Sequence, residues 1–235
     1  MAHPERACGP LTWQRTEPWH AHRMIPRYAI EVDSLLPVEA GYWMPSLEEL
    51  EEADQLGDFH DAWLIETDAV EALAVIEAES EAVQYIDARA TNPLEFDNLA
   101  DQIEFEQPDV PSDEAPDFFS ASSRPWHGVE GLELGVAGIS YALNAIGAIT
   151  ATSCRAHAAM HRNWSEYPVV LFAIDAQRAA LLQPLAEHTR CGFEIGDGRP
   201  QFLALYAATI TDLMALARRI IDHASEFAEL PSGRS

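Results

Sequence analysis

The side chains best suited to chemistry crowd one short stretch of this sequence: Thr150, Thr152, Ser153, Cys154 and Arg155, then His157 and His161. Each subset suggests a different use. Thr150, Thr152, Ser153 and Arg155 at a strand end, with backbone N–H groups beyond it, suit a phosphate or carboxylate, because hydroxyls, amides and a guanidinium all donate. Together with His157 and His161 they form a candidate binding loop for a small anionic or nucleotide-like ligand. Cys154, His157 and His161 also offer three donors acceptable to zinc. Two imidazoles four residues apart share a helix face, but Cys154 cannot join them on one helix, since seven residues rise about 10 Å. A metal site therefore needs Cys154 to end a strand and the chain to turn before His157, with His127 or Glu166 completing the shell. A third use is nucleophilic: a strand-end thiol beside Arg155 has its pKa lowered, and a histidine serves as base. No glycine-rich oxyanion turn accompanies it. The fourth reading is architectural, a small buried thiol with both histidines turned to solvent. No pattern names a cofactor or a reaction.

The flanking pattern shows which elements carry this stretch. A helix over 131–146, with Val136, Ile139, Leu143 and Ile146 on one stripe, ends at Gly147, a C-terminal cap. Ile149–Ser153 is a strand, and Val169–Ile174 is apolar throughout, hence central in its sheet. Asp175 caps a helix to about His188, which Pro184 should kink or shorten. Gly192–Ile195 and Phe202–Tyr206 flank Gly196-Asp197-Gly198, a hairpin signal. A last helix from about Thr211 carries Leu213, Leu216, Ala217 and Ile220 on one face. The order α-ββ-α-ββ-α predicts a four-stranded, largely antiparallel sheet covered by helices over 126–230. Leu134–Cys154 has no charged residue and is long enough on paper to span a bilayer. Its one-sided stripe and its glycines read instead as a buried helix followed by a strand.

Residues 1–26 form an irregular arm rich in Pro, Trp and His. Residues 27–105 read as an acidic α/β region of βαβαβα type. Its strands are Tyr28–Val32, Ala62–Glu66 and Val83–Ile86. Its helices are a capping-box helix over 47–56, one capped by Asp68 and running to Ala78, and one opened by Asn92-Pro93. Residues 106–125 are acidic and Pro-rich without a period, a loop or linker. The fold class is α/β, and α+β in the second half.

The charge is uneven. Of a formal net charge of -25, residues 31–117 hold 26 Asp and Glu against the single Arg89, while the remainder is balanced. All 14 basic residues are arginine. A GC-rich or salt-adapted host accounts for that composition, and so does a basic protein partner. Such a surface repels nucleic acid and anionic membrane, so neither is an expected partner. A protein partner or a homo-oligomer is. Three distant cysteines, Cys8, Cys154 and Cys191, make no disulfide framework, and the first residues carry no apolar signal core. The chain reads as cytoplasmic.

Leu143-Asn144 followed by Gly147-Ala-Ile-Thr-Ala-Thr-Ser-Cys154 resembles a segment of the methyltransferase family of the tRNA wybutosine pathway, where a helix with Leu-Asn precedes a strand ending in Thr-Ser-Ser-Cys-Ser-Gly-Arg. It also resembles uncharacterised bacterial α/β proteins whose strand ends in Ser-Cys-Asn-Gly, before a His-rich loop and a Pro-Val-Val-type strand. His161 and Tyr167-Pro168-Val169-Val170 fit that second pattern. The likeness covers roughly 130–227, and this chain has Arg155-Ala156 where both groups carry a small residue and glycine. The methyltransferase resemblance implies S-adenosylmethionine and methyl transfer. Three function classes follow: a module binding a small ligand or a partner, a methyltransferase-like enzyme, and an acidic inhibitor or immunity protein covering a basic surface.

Overall fold

Only a strand covered on both faces tolerates an unbroken apolar run. In the computed structural model, which describes residues 24–46, 65–105, 132–158, 165–196 and 200–231, Val169–Ala173 is such a strand, buried at all five positions. It is β2, following β1 (Ile149–Cys154) and preceding β3 (Cys191–Ile195) and β4 (Leu203–Ala207). The four strands form one antiparallel sheet in the order β1-β2-β4-β3, which puts β2 and β4 inside. The protein is thus a mixed α/β fold with its sheet in the second half.

Antiparallel partners share a face. In β1 the pairing slips between Thr150 and Thr152, leaving Ala151 as a bulge. Thr150 and Ser153 pair with Phe172 and Val170, while Thr152 and Cys154 pair with Leu171 and Val169. Ile149 and Cys154 are five residues apart and would oppose each other in a regular strand. The bulge brings both into one apolar cluster with Ala151, Leu171 and Phe202. The position of Cys154 depends on that extra residue.

Helices α3 (Ala137–Ala145), α4 (Ala176–Thr189) and α5 (Ile210–Asp222) pack over one face of the sheet, and α1 (Ala69–Asp87) lies against α3 and α5, with Phe172, Leu205, Leu143, Leu182, Leu216 and Ile76 in a shared core. A second cluster joins α1 to α2 (Pro93–Phe105) through Val83, Ile86, Phe96 and Ile103, and to Leu134 and Ile210. A short α6 (Ala224–Ala228) buries Phe227. The other sheet face is covered by the segment over residues 30–44. There Ile30, Val32 and Met44 pack on it, and Trp43 meets Phe202 edge-on with ring centroids 5.7 Å apart.

Four expectations change. Val83–Ile86 is not a strand but the last turns of α1, which runs past Ala78 because Ala82, Val83 and Ile86 continue the buried stripe of Ala72 and Ile76 without a Gly or Pro. Tyr28–Val32 is extended without joining the sheet. Isolated bonds tie this segment down: Tyr28 N–H to the Ala208 carbonyl (2.9 Å), Phe193 N–H to the Asp33 carbonyl (2.8 Å) and Asp33 N–H to the Tyr206 hydroxyl (3.1 Å). Pro184 does not end α4. It sits on the exposed side, as does Ala180, whose carbonyl loses its helical donor where water reaches it. The helix expected over 131–146 starts at Ala137. Of Ala62–Glu66 only Ile65 and Glu66 are described, neither in a strand, and the helix over 47–56 and the 106–125 loop lie outside the described residues. No helix among the described residues is long and apolar enough to cross a membrane.

The start of α3 is capped from afar. Val136 offers no side-chain cap, and Gly135 turns there with φ of +96°. The Glu79 carboxylate, fully buried on α1, accepts the Gly135 N–H at 2.8 Å, and the N–H groups of Ala137 and Gly138 lie toward it. Burial pushes its carboxyl up to about 7 against the pull of those backbone N–H groups. Glu79→Ala leaves the Gly135 N–H buried and unpaired, so denaturant unfolding should show a loss of about 1–3 kcal/mol. A variant as stable as the parent would show that α3 needs no cap from α1.

Candidate functional site

Helix α2 opens as its sequence suggests, with Pro93 at the first position and the Asn92 side chain accepting the Glu95 N–H at 3.0 Å. Phe96, Ala100 and Ile103 turn into the core. One step around the helix stand Asp97, Asp101 and Glu104, at spacings of four and three, which align three carboxylates along one edge of the buried stripe. They meet Arg155, the residue immediately after β1, which is 1% exposed.

The guanidinium is enclosed by them. Nη1 donates to Glu104 Oε1 and Nη2 to Asp101 Oδ1. Nη2 also lies 3.4 Å from the Asp97 carbonyl. Nε and Asp97 Oδ1 face each other at 3.7 Å, and neither has a hydrogen bond elsewhere among the described residues. Glu104 Oε1 also accepts the Leu134 N–H at 2.6 Å. A fourth carboxylate, Glu133, takes the Arg155 backbone N–H at 2.7 Å with one oxygen and faces His157 Nε2 at 3.0 Å with the other. His157 Nδ1 lies 3.2 Å from Arg155 Nη2 and 3.9 Å from Asp101 Oδ1. The Ala158 N–H closes the ring onto Asp97.

These charges move one another. Burial works to lower the Arg155 pKa, but the carboxylates of Glu104 and Glu133 outweigh it and hold the guanidinium charged. Three carboxylates share that one cation, and burial pushes Glu104 up to about 7. Burial also raises Asp97, partly offset by the Ala158 N–H and Arg155. The hydrogen bond to Glu133 raises His157 against the effect of burial. Burial would raise Glu133 too, but its bonds from His157 and from the Arg155 N–H leave it low.

The expected ligand loop divides accordingly. Thr150 is buried on the helix side, its hydroxyl bonded by Asn144 Nδ2 at 3.0 Å, while Thr152 and Ser153 are half-buried on opposite faces. Arg155 turns toward α2. Cys154 is 1% exposed, and burial, then Glu133, push its thiol up despite Arg155, which is the reverse of an activated nucleophile. His157 is buried within the acidic ring, not turned to solvent. Glu166 is exposed, and His127 and His161 lie outside the described residues. Sequence reasoning missed Asp97, Asp101, Glu104 and Glu133. Two signals pointed to them: acids beside rather than opposite the apolar stripe of α2, and a lone arginine ending a charge-free run. No known protein family, curated protein or solved structure matches this chain.

A group whose folded pKa lies above its unfolded value keeps a proton that the unfolded chain releases, so its stabilisation is present below the unfolded pKa and is lost as pH rises through the folded one. Glu79, Glu104, Asp97 and His157 all act in that sense. Glu133 acts in the opposite sense, but its contribution is lost only in acid, below the ordinary carboxylate range. The melting temperature should therefore fall from about pH 5 to about pH 8. The Glu79→Gln/Glu104→Gln double variant should flatten that slope. A melting temperature that climbs over the same range would mean these carboxyls ionise without penalty.

Proposed function

We propose that the chain is an interaction module whose acidic half receives a basic protein surface. One observation carries this reading. The exposed large apolar side chains among the described residues, Leu35 (66%), Val38 (95%), Val70 (78%) and Leu94 (49%), all lie in the acidic half. Acids stand beside them in the chain: Asp33 and Glu39 flank the first pair, and Glu66, Asp68 and Glu71 surround Val70, all exposed. Apolar anchors rimmed by one sign of charge suit a partner with a small apolar contact and a basic rim. The charge also speeds and selects the encounter.

Geometry at Arg155 argues in the same direction. Its charge is committed to α2, so an anion at the loop would lack its main attraction. The crevice beside it, bounded by Pro26, Tyr28, Phe96, Asp97, Ala156 and Ile210, encloses about 160 Å³ with open solvent included. Sites for small molecules usually hold about 300–1,000 Å³.

Val70 and Leu94 sit in the first turns of α1 and α2, where an acidic residue favours the helix dipole. Val70→Asp and Leu94→Asp should leave folding intact. A basic protein captured from the host and then purified should bind these variants at least tenfold more weakly, about 1.4 kcal/mol, and should be released by salt. Binding indifferent to both substitutions and to salt would overturn the reading.

A further inference from the structure

A metal at Cys154 and His157 requires the strand to end at the cysteine and the chain to turn at once. Both conditions hold. β1 ends at Cys154, Ala156 takes φ of +58°, and His157 follows outside any helix. Glu133 reaches the same point from the turn preceding α3. One donor atom from each of Glu133, Cys154 and His157 lies within 4.8 Å of the other two.

We propose that Glu133, Cys154 and His157 bind a borderline-soft divalent ion of the zinc type, with solvent or one further donor as the fourth ligand. The donor set selects the metal. A thiolate beside an imidazole and a carboxylate suits zinc and excludes calcium and magnesium, which take oxygen. A tetrahedral site with bonds of about 2.0–2.3 Å sets its donors roughly 3.3–3.6 Å apart. His157 Nε2 and Glu133 Oε1 are already 3.0 Å apart. The thiol closes the rest by a modest inward shift.

The surroundings suit a cation. Four carboxylates, Asp97, Asp101, Glu104 and Glu133, stand around one guanidinium and one imidazole, a surplus of negative charge even with His157 protonated. A divalent ion offsets that surplus. The backbone N–H groups of Ala156, at 3.3 Å, and Ser165 point at the Cys154 sulfur and favour the thiolate a metal needs. With metal on Nε2, the ring proton moves to Nδ1, which faces Asp101 Oδ1 at 3.9 Å. A ligating histidine usually hydrogen-bonds a carboxylate in this way, and a small ring shift would bring Asp101 into that range. The contact of Nδ1 with Arg155 Nη2 is given up, and Arg155 keeps Asp101 and Glu104.

The test is a Co²⁺ titration of the metal-stripped full chain, followed by displacement with Zn²⁺. The parent should bind one equivalent with a thiolate-to-cobalt charge-transfer band, and Zn²⁺ should abolish the band and raise the melting temperature. Cys154→Ser should lose the band. Cys191→Ser should keep it, because that thiol lies in the helix-side core. Glu133→Gln should weaken binding at least tenfold. Because Glu133 also steadies Arg155, the parent's own band and its zinc-induced melting shift decide the matter even where a variant unfolds. A parent without the band, or a band that survives Cys154→Ser, overturns the site.

Discussion

A guanidinium out of water must be surrounded by acceptors or it unfolds the structure around it. Placing Arg155 directly after the buried β1 commits the fold to supplying them. Asp97, Asp101 and Glu104 do so from α2, some fifty residues upstream. The penalty for removing one partner of such a group, about 3–5 kcal/mol, exceeds the net gain of forming it. Its value is therefore positional. Apolar packing of Phe96, Ala100 and Ile103 would tolerate small rotations of α2, whereas a fork bound by two carboxylates and faced by a third does not.

The acidic half is consequently two populations with different jobs. Glu79 and Glu104 are buried and meet the same short turn, one taking the Gly135 N–H and the other the Leu134 N–H. Glu133 lies in that turn and takes the Arg155 N–H. Three carboxylates thereby settle how the chain enters α3 and leaves β1. The exposed acids do none of this, which leaves them available to a partner surface. The ring around Arg155 holds that guanidinium against the α2 carboxylates.

The second half was readable because its signals are local. Asp175 caps α4, Gly147 turns with positive φ after α3, and the alternation of helix with strand pairs follows the apolar periods. Val83–Ile86 misled because four apolar residues fit a strand as well as the end of a helix. Tyr28–Val32 alternates like a strand, yet it lies over the apolar face beyond the ladder, a choice only tertiary packing makes. The bulge at Ala151 has no marker in Ala-Thr, so the face on which Cys154 emerges could not be read. The acidic ring escaped notice because its carboxylates stand 22 to 58 residues from Arg155 in sequence. The acids beside the apolar stripe of α2 and the isolation of Arg155 at the end of a charge-free run were the signals that partners had to exist.

Native-state hydrogen exchange on Arg155→Met tests the central claim most directly. Methionine keeps the buried stem and removes the charge, leaving the α2 carboxylates without their cation. If Arg155 is what fixes α2 on the sheet, the amides of Phe96–Ile103 should exchange through an opening far below the global one, while those of β2 and β4 keep their protection. Amides of α2 that remain as protected as the sheet would contradict it, and would leave apolar packing alone as what holds the acidic half in place.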